Sequence, residues 1–137
     1  MAVRVYFMAP VRGRDGDNVS GVDKAENISI ALQVADWIES NFPSFDLFVP
    51  HKYERVLEVA MLHGVLDSTS ILDMYVAEAG TYPLGIRFVG NGESPGADRE
   101  QAEIEANGGI VVEISFCGDD AMELIADAAM IIRERQP

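Results

Sequence analysis

The residues with the clearest chemical potential lie in Ser94-Pro95-Gly96-Ala97-Asp98-Arg99-Glu100, with Tyr6, Arg12-Gly13 and Asp73 upstream. Gly96 permits close approach of a backbone, and Ser94 supplies a hydroxyl at the mouth of the helix expected to follow. Free N–H groups at such a mouth form an anion site. Glu100 falls in the first turn, where a carboxylate also complements the helix dipole, and it can aim at whatever the anion site holds. His51 follows Val49-Pro50 at the carboxyl end of an expected strand. Ligands are met at such strand ends in open α/β sheets.

Other chemistries lack their residues. His51 and His63 lie twelve apart with no third nitrogen or sulfur ligand, which disfavours zinc, and His63 reads as a residue at a helix end before Gly64. Asp15, Asp17 and Glu26 occupy the first, third and twelfth positions of a calcium-loop pattern. Val19 and Ser20 stand where an oxygen ligand and a glycine are needed, so that pattern fails. There is no Gly-x-Gly-x-x-Gly after the first strand, no Gly-Lys-Ser/Thr, and no Gly-x-Ser-x-Gly, which disfavours dinucleotide, P-loop and serine-hydrolase chemistry. Cys117, the one cysteine, ends an apolar strand and reads as a buried, inert thiol. It excludes an intramolecular disulfide and every Cys-based zinc motif.

The elements that must position these residues alternate. Strands are expected at 3–8, 45–49, 84–89 and 110–116, the last read as buried on both faces. Helical spacing covers about 24–41, 52–62, 68–79, 97–107 and 119–133, with Gly64 as a break and Gly108-Gly109 as a stop. Strict alternation predicts one α/β domain over residues 1–137, its sheet mainly parallel, with helices on both faces. Residues 9–21, 50–53 and 90–99, which follow the first three strands, should line one cleft.

At 137 residues, 48% hydrophobic and 24% charged, the chain suits one folded domain that needs no disulfide or metal staple. Residues 1–70 hold six basic and ten acidic side chains, and residues 71–137 hold four and thirteen, for a net charge of −13. That field repels nucleic acid and anionic membrane. No apolar run spans a bilayer, and no export signal is evident, so a cytoplasmic protein is expected.

Taken together, the site residues resemble the nucleoside 2-deoxyribosyltransferase superfamily, most closely its 2′-deoxynucleoside 5′-monophosphate N-hydrolase branch. The resemblance rests on Tyr6-Phe7-Met8-Ala9-Pro10-Val11-Arg12-Gly13, on the Ser-x-Gly-x-x-x-Glu pattern of Ser94, Gly96 and Glu100, and on Ala106 and Gly108 in register. Asp73 within Ile71-Leu72-Asp73 and His51 after the second strand complete it. Some dozen positions carry it, in order along nearly the whole chain. It implies a Rossmann-like (flavodoxin-like) three-layer sandwich, a dimer, no cofactor, and a small-molecule nucleotide substrate. Glu100 would attack C1′ of the sugar as a retaining glycosidase does, Tyr6 would orient it, and Asp73 would handle the proton at the base or the attacking water. Arg12, Gly13, Ser94 and Gly96 would hold the 5′-phosphate, with His51 a further substrate contact. The transferases carry a carboxylate where Ser94 stands. A carboxylate there would repel a phosphate that serine can donate to, which favours the monophosphate hydrolase over the transferase. Ala9-Pro10 replaces the Gly-Ser of the closest hydrolases and removes one N–H and one hydroxyl. A nucleoside 2-deoxyribosyltransferase and a non-catalytic nucleotide-binding module of the same fold are the alternatives.

Overall fold

The computed structural model describes residues 2–10, 21–90 and 94–136. The order is β1 (Val3–Met8), α1 (Gly21–Asn41), β2 (Phe45–Phe48), a 3-10 turn (Pro50–Tyr53), α2 (Glu54–Leu62), α3 (Ser68–Ala79), β3 (Leu84–Phe88), α4 (Pro95–Ala106), β4 (Ile110–Ile114) and α5 (Asp119–Arg135). All four strands run parallel in the order β2-β1-β3-β4. The chain is thus an α/β protein with a Rossmann-like layered fold.

Side-chain alternation along β1 explains the layers, because successive residues of a strand point to opposite faces. Val3, Val5 and Phe7 join a core with Ala31, Val34, Ala35 and Ile38 of α1 and Ala121, Ile125, Ala128 and Ile132 of α5. Tyr6 and Met8 point the other way, into a smaller core with Ala79, Ala97 and Ile104 of α3 and α4. The hydroxyl-bearing Tyr6 is therefore on the face that α4 covers.

β4 corrects one expectation. It is an edge strand that stops at Ile114; Val112 and Ile114 are buried while Glu113 faces out. Phe88 pairs with Ile114 as the last rung, so residues 115 and 116 have no strand to follow and Phe116 is exposed. Cys117, expected buried, is likewise exposed. His63 is the C-cap of α2, followed by Gly64 at φ 69°, a left-handed conformation that glycine adopts without strain.

Candidate active site

After β1 the chain crosses to β2 on one side, and after β2 it returns past β1 to β3 on the other. Crevices open at the carboxyl ends of strands where the winding reverses in this way. A cavity of about 490 Å³ lies there. It is lined by Phe7, Met8 and Ala9 after β1, by Pro50, His51 and Glu54 after β2, and by Ser68, Thr69, Ile71, Leu72 and Tyr75 of α3. Ser94, Pro95, Gly96, Ala97, Arg99 and Glu100 of α4 complete its wall. All three loops expected to meet contribute, through their described residues.

The centre of the site is a hydrogen bond from the Tyr6 hydroxyl to Glu100 Oε2. Tyr6 is fully buried, stacked on Phe48 and edge-on to Tyr82, so its ring cannot swing away. Burial, then the neighbouring Glu100 charge, pushes its pKa far up, and the phenol stays a donor at every working pH. Glu100 is pushed up to about 7: burial raises it, while the Tyr6 hydrogen bond and the Arg87 charge pull it partly back. Carboxyl groups poised near neutrality are the kind found at sites of proton or nucleophile chemistry.

Ser94 caps α4. Its Oγ accepts from Ala97 N at 3.3 Å and its carbonyl from Asp98 N at 2.9 Å, leaving the hydroxyl hydrogen to be donated elsewhere. Gly96 sits where α3 and α4 touch, since a Cβ there would lie 3.3 Å from Leu72 Cδ1. His51 is buried with Nε2 3.1 Å from the Ala9 carbonyl oxygen, and Nδ1 has no partner among the described residues. Burial lowers its pKa, so the ring is neutral. With Nε2–H donating to Ala9, Nδ1 presents a lone pair.

Asp73 is not brought to the cleft. It is exposed on α3, with Oδ1 3.0 Å from Arg99 Nη2. Leu72 and Tyr75 line the cavity, and successive helical residues turn by about 100°, which carries Asp73 to the outer side. Arg12 and Gly13, and Asp15 and Asp17 of the failed calcium pattern, lie outside the described residues.

Three residues join the site that its motifs did not indicate. Glu54 lines the cavity with its carboxylate 2.6 Å from Lys24 Nζ. The Tyr75 hydroxyl is 3.4 Å from the Pro50 carbonyl oxygen, and burial followed by Glu54 and Glu100 pushes it up to about 12. Arg87, on β3, bears on Glu100 from beneath α4. Spacing could have suggested Tyr75, one helical turn after Ile71, but no sequence signal marks Glu54 or Arg87.

No family model matches the chain, and neither does any curated protein or solved structure. The fold and the site geometry are the ground on which its function is read.

Proposed function

We propose that this protein cleaves the N-glycosidic bond of a (deoxy)nucleoside 5′-monophosphate, releasing free base and sugar 5-phosphate. The observation that carries the reading is the Tyr6–Glu100 hydrogen bond in a cleft walled by the first turn of α4. A tyrosine that only donates fixes one carboxylate oxygen and leaves the other free to attack. In this reading Glu100 bonds to C1′ as the C1′–N bond breaks, through an oxocarbenium-like transition state. The base leaves with a proton from water, since Asp73 is turned away. Water then attacks C1′, frees the sugar phosphate and restores Glu100. Ser94 O–H and the α4 N-terminus receive the phosphate, joined by Gly96 and, in this reading, by Arg12 and Gly13. His51 Nδ1 accepts from a donor on the substrate. The acting species is taken to be a homodimer in the cytoplasm. No described helix is long and apolar enough to cross a membrane.

The exposed Asp73–Arg99 pair favours a second reading, a nucleotide-binding module without turnover, because it removes the acid that would assist the leaving base.

A panel of nucleosides and deoxynucleosides, with and without a 5′-phosphate, separates the two by chromatography of released base. Under the first reading base appears from a monophosphate, and Glu100→Ala lowers its release by at least ~10³-fold, the scale of losing a catalytic group. Ser94→Asp sets a charge beside the phosphate and turns preference toward the unphosphorylated nucleoside. Binding without base release establishes the second reading. Undiminished release by Glu100→Ala removes the glutamate mechanism.

A further inference from the structure

Arg87 is a guanidinium placed where a sheet ordinarily keeps apolar side chains. On β3 it follows Gly85 on the face that α4 covers, and it pairs in register with Met8. Its side chain is only 12% exposed. Nη2 is 2.7 Å from Asp98 Oδ1, and Nη1 donates to Gln101 Oε1 at 3.0 Å. These partners precede and follow Glu100 on α4 by two residues and one residue. A two-armed guanidinium holds both in a fixed fork, which lysine cannot do. A largely buried cation costs the fold unless it is paired, and Asp98, with its side chain 67% exposed, meets that cost from the solvent side. Arg87 is not among the residues lining the cavity, so it is no direct ligand contact.

We infer that Arg87 is a positioning residue for Glu100, clamping the start of α4 over Tyr6 and supplying the cation that steadies the Glu100 carboxylate. The inference deepens the glycosidase reading and, for its bearing on turnover, rests on it. Among the described residues, few groups bear on Glu100. Tyr6 donates to it from β1, and Tyr75 of α3 is a neutral phenol. On α4 itself Arg99 is turned to Asp73, and Asp98 to Arg87. Among the described residues, Arg87 is the charge that acts against the burial of Glu100.

The coupling is testable without substrate. In the wild-type protein the Arg87 Nε–H resonance should shift with pH at the midpoint of the Glu100 side-chain carboxyl, and that shift should vanish in Glu100→Gln. Arg87→Gln should raise the Glu100 midpoint by roughly one unit, the low end for losing a nearby opposite charge, and Arg87→Lys should return it most of the way. With a nucleotide that is turned over, the acid limb of the rate profile should move up by the same amount in Arg87→Gln, while KM holds. An Arg87 resonance blind to Glu100 overturns the inference, even if Arg87→Gln does not fold. So does a uniform fall in rate with no movement of the limb. Coupled titrations in a protein that releases base from no nucleotide would fail the glycosidase reading and leave the clamp standing.

Discussion

A carboxyl group that titrates near pH 7 weakens the fold whenever it is ionised. Glu100 is held at about 7 against a reference of 4.5, chiefly by burial. Between those values the folded chain binds more protons than the unfolded one, so this group's contribution to stability is complete below about pH 4.5 and is lost as pH rises through about 7. Glu100→Gln keeps an acceptor for Tyr6 and removes the ionisation. The variant should match the wild type in urea unfolding at pH 4 and exceed it by about 3 kcal/mol at pH 8, the rise from 4.5 to about 7 converted at about 1.4 kcal/mol per pH unit. An equal difference at both pH values would refute the argument from burial. The effect of His51, whose pKa burial lowers, cancels in the comparison. If Glu100 is the nucleophile, the same variant is more stable and inactive. Tyr6 and Ser94 could be read in the sequence because short-range pattern places them, in a strand and at a cap. Glu100, expected in the first turn of a helix from about residue 97, lies in the second turn because Ser94 caps a helix that starts at Pro95. Glu54 and Arg87 could not be read, because packing across the crossover gives them their neighbours, and Tyr75 was marked only by its helical spacing from Ile71. Asp73 rested on the resemblance alone, and α3 sets it exposed against Arg99.

At the level of elements, the site depends on how closely α4 lies on β3. Gly85 allows it, since a Cβ there would stand 2.8 Å from both Ile104 Cδ1 and Met8 Cε, the mobile ends of flexible side chains. Gly109, just after α4, is tighter. A Cβ there would meet Ile104 Cγ2 at 2.6 Å and the carbonyl oxygens of Ile104 and Tyr82 at 3.0 Å. Gly109→Ala should therefore cost about 1–3 kcal/mol, the usual penalty of overpacking, and Gly85→Ala distinctly less, because rotation of Met8 and Ile104 relieves it. Urea denaturation of the two variants decides, and a larger loss at Gly85 would refute the ranking. The stop that Gly108-Gly109 imposes on α4 was legible, as was the alternation of strands and helices. The burial of β4 was not, because an apolar run does not reveal whether a strand has one neighbour or two. Its outward Glu113 was the available clue.

For the molecule as a whole, the question is what the proposed dimer would bury. Two apolar stretches, residues 56–66 and 125–132, suggest self-association, and the second, on α5, is largely spent inside the chain, since Ile125, Ala128, Ala129 and Ile132 are core. The α2 stretch is not. α2 buries no residue, and Val56, Leu62 and Val65 are 70%, 85% and 71% exposed. A two-fold axis beside α2 would set this patch against its own copy, the commonest form of protein self-association. The net charge of −13 per chain opposes that contact through a field that salt screens, with a Debye length falling from about 30 Å at 0.01 M to about 8 Å at 0.15 M. Association should accordingly strengthen as salt is added, opposite to an interface held by ion pairs. Light scattering at micromolar concentration should give twice the 15.0 kDa of one chain at physiological salt and a lower average mass at low salt. Leu62→Glu with Val65→Glu should give the single-chain mass at both, with unfolding in urea little changed because neither side chain is buried. A wild-type mass of one chain at every salt concentration would sink the dimer, and a dimer that survives the double substitution would move its interface away from α2.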